Sequence, residues 1–497
     1  MTDSQPTARP WPLPTRRQLI AGIGASLTAL AMPPAKVAAT EQGSDGFRVL
    51  HARTGLARLR GPDTAPTPIW GYDGLSPGPT LRVKQGEELR VRLVNDLDQP
   101  TVIHWHGLRI ANAMDGVPHL TQKPIEPDQS FDYRFTPPDA GTFWYHTHFG
   151  SSEQLARGLY GVLIVDEAEA PAVDRDLMLV LDDWRLLDNG EIEPSFGNVH
   201  DAMMAGRLGQ YVTLNSQDTV DVAVKAGERL RLRLVNAANA RIFSLRIADH
   251  VTRIMAVDGQ PCPPEIVRDG VLTFGPGTRY DLFLDASLKP GAHAPIQVAD
   301  MRGGWLDIGR VVYATGEPMR AAALPAPQPL PANPLPTTLD LAKALIVDVP
   351  LDGGMMMGMM GGGGMGGGMG GGTGGGMGPG RFNGFGIPPR QRLWALAGVA
   401  ATGHDGPPMF TVERGRTVVV NFVNRSALPH AMHIHGHHFR HLTADGGHRP
   451  YWLDTVIVDP ERTERIAFVA DNPGKWMMHC HMIEHMAAGM AAWFQVT

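Results

Sequence analysis

Val83-Lys-Gln-Gly-Glu-Glu-Leu-Arg-Val-Arg-Leu-Val-Asn95 returns as Val224-Lys-Ala-Gly-Glu-Arg-Leu-Arg-Leu-Arg-Leu-Val-Asn236 and again as Val412-Glu-Arg-Gly-Arg-Thr-Val-Val-Val-Asn-Phe-Val-Asn424. In each copy a glycine makes a turn and an alternating apolar run follows, the signature of a half-buried strand. Three copies in 497 residues imply three homologous β domains. Short alternating runs broken by Gly, Pro, Asn and Asp continue after residue 43, so the expected class is all-β, built of β-sandwiches. Domain limits are read at 45–168, 174–317 and 337–497, with a Pro-rich extended linker at 318–336.

Histidines stand at fixed distances from these repeats. His104 of His104-Trp-His106-Gly lies twenty-one residues after Val83, and His433 of His433-Ile-His435-Gly lies twenty-one after Val412. The same offset from Val224 reaches Leu245-Arg246-Ile247, so the middle domain lacks the pair and reads as a spacer. A second pair repeats: Gly141-Thr-Phe-Trp-Tyr-His146-Thr147-His148 aligns with Gly474-Lys-Trp-Met-Met-His479-Cys480-His481. On a strand, residues i and i+2 share a face, so each His-x-His offers two imidazoles to one site. A lone histidine is usually structural. Four such pairs at repeat-equivalent places point instead to a metal cluster where domains 1 and 3 meet.

Cys480 sits between His479 and His481 and faces the other way. With His430, His485 and Met490 it forms a His2Cys set with a weak Met ligand, the blue-copper electron-transfer pattern. The bland alternative is a small buried cysteine among packing methionines. In domain 1 Thr147 replaces the cysteine, so only domain 3 carries this second site.

These motifs, from about residue 45 to the end, resemble the three-domain multicopper oxidases: laccases and, more closely, bacterial periplasmic copper efflux oxidases. The resemblance implies three cupredoxin-like Greek-key domains and four copper ions. A type 1 copper would be held by His430, Cys480, His485 and Met490, and a type 2 copper by His104 and His433. A type 3 pair would be held by His106, His146, His148, His435, His479 and His481. Electrons would enter at type 1, pass through Cys480 and reduce O2 to water at the other three. Asp115, in Met114-Asp115-Gly116, stands where the family keeps an acid near the cluster and would relay protons; a turn aspartate is the alternative. The family's second acid, directly after the last type 1 histidine, is Met486 here, and Glu484 lies two residues earlier.

From 353 to 380 the chain is almost only Gly and Met, with Met355, Met356, Met357, Met359, Met360, Met365, Met369 and Met377. Thioethers favour Cu(I), so this insertion reads as a collector of cuprous substrate, against the alternative of a tolerated low-complexity loop. The acid and Met with which the efflux oxidases hold Cu(I) are replaced by Ser426 and Leu428. The donor is therefore Cu(I), a phenol or another one-electron donor, with Mn(II) or Fe(II) as an alternative. A copper-sequestering protein is the non-enzyme reading. His437, His438, His441 and His448 add metal contacts or are surface residues.

The N-terminus reads as a targeting segment. Thr15-Arg16-Arg17-Gln18-Leu19-Ile20 is a twin-arginine start, an apolar stretch runs to Met32, and Val37-Ala38-Ala39 offers a cleavage site, giving a signal at 1–39 and a periplasmic destination. An anchor or an unstructured tail is the alternative. No other segment is long and apolar enough to span a membrane. The net charge of -6 and the lack of a basic stripe argue against nucleic acid. Two cysteines, Cys262 and Cys480, exclude a disulfide framework. A monomer is expected.

Overall fold

The computed structural model describes residues 43, 45–320, 322–336, 338–354, 393–400 and 406–497. The signal expected at 1–39 and all eight methionines of the 353–380 segment lie outside them. Among the described residues, no helix is long and apolar enough to cross a membrane.

Six sheets form three sandwiches in chain order. The first sandwich spans Arg48 to Asp166, the second Arg175 to Tyr313 and the third Leu345 to Val496. Each is built the same way. The repeat strand (Leu89–Asn95, Arg229–Asn236, Thr417–Asn424) is central in one sheet and pairs in parallel with its domain's first strand. The histidine-bearing strands, or their domain 2 counterparts, lie in the other sheet. Alternation puts one face of each repeat strand into its own apolar core, as with Val91 and Leu93 in domain 1 and Val418 and Val420 in domain 3.

The residues that mark the repeat have a common structural reason. Gly86, Gly227 and Gly415 have φ of 81°, 85° and 86°, a left-handed turn that other residues enter at a cost. The closing asparagines Asn95, Asn236 and Asn424 are buried clamps. Asn95 and Asn236 donate from Nδ2 to two main-chain carbonyls and Asn424 to three, and each accepts a main-chain N–H two residues on at Oδ1. They tie the end of the repeat strand to the loop that leads to the next strand, which carries the histidines in domains 1 and 3.

The chain from 318 to 336 holds no strand or helix among its described residues, and polar bonds pin it. Arg320 pairs with Asp174, and Asn333 exchanges two 2.8 Å bonds with the main chain of Ala140.

Candidate metal centre

In domain 1 the strands His104–His106 and Gly141–His146 pair antiparallel, with His104 opposite His146. In domain 3, His430–Ile434 pairs with Gly474–Cys480, with His433 opposite His479. The intervening Trp105 and Ile434 turn into their own cores, as alternation requires. The imidazoles meet between the two domains: His104 stacks on His435 at 3.9 Å between centroids, and His106 on His433 at 3.8 Å. His146, His148, His479 and His481 complete a ring of eight, each at most 1% exposed.

One nitrogen of most of these rings is held by an acceptor. His104 Nδ1 donates to the Asp115 carbonyl (2.7 Å), His146 Nδ1 to Thr147, His433 Nδ1 to Asp454 and His479 Nδ1 to Cys480, all to main-chain oxygens. His435 Nδ1 donates to Asp115 Oδ2 (3.0 Å), and His106 Nε2 to Asp454 Oδ1 (3.2 Å). These bonds fix the tautomer and turn the other nitrogen's lone pair inward. There His104 Nε2, His106 Nδ1, His146 Nε2 and His433 Nε2 find no protein partner, nor does either nitrogen of His148 or His481. Leaving a buried polar atom unmade costs about 1–3 kcal/mol. Burial also drives His106, His146, His148, His435, His479 and His481 well below the ordinary imidazole pKa, so these six are neutral and ready to ligate. The donor set fits metal ions.

A second centre lies behind Cys480. Its Sγ is 3.6 Å from His430 Nδ1 and 3.9 Å from His485 Nδ1, and the two Nδ1 atoms are 3.2 Å apart. The far nitrogens are occupied, His430 Nε2 by Ser426 Oγ (2.9 Å) and His485 Nε2 by the Met204 carbonyl (2.6 Å). Two imidazole nitrogens and a thiol facing one another are a set that could hold a metal ion. Burial pushes the Cys480 thiol up to about 12, so without a metal it stays protonated. Met490 is fully buried beside this centre, its carbonyl accepting from the Cys480 N–H. Trp394 packs on both His430 and His485.

Domain 2 is more than a spacer. Arg279, fully buried, forks onto Asp454 (2.7 and 3.0 Å), and Asp258 accepts the Asp454 main-chain N–H. Burial opposes ionisation of Asp454, but Arg279 and His106 outweigh it and hold its carboxyl well below the usual range. A Cβ on Gly277 would meet His481 at 2.9 Å and His106 at 3.0 Å, so this turn of domain 2 touches the ring directly. Asp454 and Arg279 carried no motif. Their only sequence signal is a charge inside an apolar run (Leu453-Asp454-Thr455-Val456), which is common elsewhere.

Other candidates fall differently. Asp115 bridges domains, reaching His104 Nδ1 (3.4 Å) and His435. Both Glu484 oxygens face domain 2, accepting from the Arg207 N–H and Asn239 Nδ2. His437 and His438 are buried rather than superficial; His441 pairs with Glu464, and only His448 of the four is exposed. Cys262 is buried in the strand Gln260–Ile266 and is free.

Residues 58–170, 178–300 and 387–497 each match a family described as multicopper oxidase. A multi-copper oxidase structure from Pseudomonas thermotolerans is 32% identical, with a TM-score of 0.76, over 90% of this chain and 98% of that one. A laccase-like multi-copper oxidase from a lignin-degrading Ochrobactrum species, titled as active on lignin model compounds, is 25% identical with a TM-score of 0.74, over 92% and 98%. Copper resistance protein A of Escherichia coli is 25% identical over 84% of this chain and 87% of its own length. With two buried imidazole-lined centres joined through Cys480 and three cupredoxin-like domains around them, the chain belongs to the multicopper oxidases, oxidoreductases that work with four copper ions and O2.

Proposed function

We propose that this protein takes single electrons from Cu(I) or phenolic donors at the Cys480 centre and uses four of them to reduce O2 to two waters at the histidine ring. His430, Cys480 and His485, with Met490, hold the type 1 copper. His104 and His433 hold type 2. His106, His146, His148, His435, His479 and His481 hold the type 3 pair. The copper ions, when bound, supply one-electron redox chemistry and O2 reduction. The protein's own part is to fix the rings, join the centres and deliver protons. Cys480 is covalently continuous with His479 and His481, so its backbone is the electron path between centres. The observation that carries this reading is the inward set of partnerless imidazole nitrogens beside the His430–Cys480–His485 cluster.

Asp115 delivers protons. Its carboxylate touches rings of both domains and is 2% exposed, so it can pass a proton inside the site while keeping bulk water out. The mature protein, three domains at 45–168, 174–317 and 337–497, is exported by the twin-arginine route to the periplasm and serves copper tolerance. The copper resistance relative supports this role. The methionine segment collects Cu(I): its described flanks, Gly353 and Trp394, are strand partners, and Trp394 lies against His430 and His485. The lignin-active relative favours the second reading, a general laccase acting on phenols.

Oxygen consumption by the copper-loaded protein tests both. Cu(I) and a bulky phenol are compared for the full chain and a variant lacking 353–380. Slower Cu(I) oxidation with faster phenol oxidation supports the cuprous reading. No change in either moves the assignment to a general laccase.

A further inference from the structure

Domain 1 repeats the strands and the short helix of the Cys480 centre, and where that centre would be covered it leaves a cavity. Ser152 follows Thr147 by the same five residues that separate His485 from Cys480, and the two lie in matching short helices, Ser151–Gln154 and Ile483–Ala487. Domain 2 reaches both helices: the Met204 carbonyl accepts from His485 Nε2, and Asn239 Nδ2 donates to the Ser152 carbonyl at 3.4 Å. On the domain 3 side the contact is closed, and His485 is fully buried. On the domain 1 side a cavity of about 190 Å3 remains between Phe149, Ser152, Glu153 and Arg157 of domain 1 and Phe196 of domain 2. No residue of the Cys480 centre lines it.

Size, charge and one unpaired hydroxyl narrow what fits there. The cavity is smaller than the roughly 300–1,000 Å3 of a drug-sized site, yet larger than the apolar cavity of about 150 Å3 that accepts benzene. It therefore takes one ring and little more, and two phenyl groups from different domains, Phe149 and Phe196, supply apolar wall. The charges in the wall are already paired. Glu153 accepts from Arg157 Nε (2.8 Å) and from Gln99 Nε2 (3.3 Å), and the Arg157 guanidinium lies over the rings of Trp70 and Phe196 at 4.5 and 4.7 Å. That pairing disfavours a charged ligand. Thr101 and Thr147, the other two domain 1 counterparts of the Cys480 centre, both donate to Gln154. Ser152 does not share in this: it is 2% exposed, and its Oγ has no protein partner. Buried hydroxyls are rarely left unbonded, so this one is free for a ligand.

We propose that this cavity is a binding site for an uncharged single-ring aromatic molecule bearing one hydroxyl group, a phenol or an aromatic alcohol. Its ring packs against Phe149 and Phe196, and its hydroxyl bonds Ser152 Oγ. The site binds its ligand without taking an electron from it, because Thr101, Thr147 and Ser152 offer neither imidazole nor thiolate to a metal. It is thus separate from electron entry at the Cys480 centre and holds whether or not the chain turns over as an oxidase.

Benzyl alcohol, which carries the ring and the hydroxyl, has no charge and resists one-electron oxidation, tests the site apart from turnover. The copper-loaded full chain is titrated calorimetrically with benzyl alcohol and with toluene, which lacks the hydroxyl, and crystals of the same protein are soaked in benzyl alcohol. The expected result is one bound equivalent, with ring density between Phe149 and Phe196. Ser152→Ala should weaken benzyl alcohol about fivefold, the loss of one hydrogen bond, and leave toluene unchanged. The same variant removes a hydroxyl with no protein partner, so its thermal midpoint should not fall. Phe196→Leu keeps an apolar cover but loses the ring face, and should weaken both ligands about threefold. Benzoate, the same ring with a charge, should not displace benzyl alcohol. The site is overturned by a lack of saturable binding, by density only outside the cavity, by equal losses of both ligands in Ser152→Ala, or by displacement with benzoate.

Discussion

Domains 1 and 3 each bring the same pair of strands to the cluster, yet only domain 3 builds a second candidate metal centre behind them. In domain 3 the strand ends His479-Cys480-His481, with His430 and His485 beside the sulfur. The equivalent positions in domain 1 are Thr101, Thr147 and Ser152. There Thr101 and Thr147 both hydrogen-bond Gln154 Oε1 (2.9 and 2.7 Å), and Gln154 Nε2 donates to the Pro100 carbonyl. The two threonine hydroxyls and the Gln154 amide satisfy one another and need no ion. Two imidazoles and a thiol converge instead as a set that could hold a metal ion. The scaffold is indifferent to which occurs; three side chains decide.

The sharpest test makes domain 3 resemble domain 1. Cys480→Thr should abolish donor oxidation, by about three orders of magnitude or more, because the electron path and the soft ligand vanish together. The blue absorption of the loaded protein should disappear while copper at the histidine ring remains. Residual blue colour would break the comparison.

The shared ring should respond to its supports. Asp115→Asn keeps the hydrogen bonds but cannot carry a proton, so turnover should fall about 10²–10³-fold at full copper content, with an altered pH profile. An unchanged pH profile would reduce Asp115 to a structural residue. Arg279→Gln frees Asp454 and so loosens His106. The cluster's copper affinity should fall about 10–100-fold, read by metal content after dialysis and by the type 2 resonance signal.

Acid should act on the metal-free protein through the same rings. Burial holds His485 at about 4, and His106 and His481 well below the ordinary value of about 6.5. Unfolded, these rings protonate near 6.5; folded, they stay neutral. Protons therefore favour the unfolded chain, and stability is full above about 6.5 and falls as pH drops toward 4. A thermal midpoint flat from pH 7 to 4 would contradict this. The smallest effect belongs to domain 1: Thr147→Cys leaves Gln154 short of a partner, costs about 1 kcal/mol, and creates no blue centre because Thr101 and Ser152 are not ligands.

Much of this centre was legible because it is written locally. A His-x-His pair declares its geometry through the two-residue period of a strand, and the offset from each repeat says that both pairs occupy one place in the fold. Cys480 faces away from its neighbours for the same reason. Ser426 stood out as a departure from the family's pattern, but its bond to His430 needed the folded loop closed by Asn424. His437 and His438 read as superficial because sequence alone cannot show which strand covers them.

The chain order of residues thus determined the class, the three repeats and nearly every side chain that converges on the candidate metal centres, since strand periodicity and repeat spacing are properties of neighbours. Tertiary structure alone decided which ring nitrogen is free, that Arg279 and Asp454 meet across 175 positions, and that the Met204 carbonyl seals His485. Those are contacts between separate domains. They depend on how whole sandwiches dock, and no local pattern of residues encodes that.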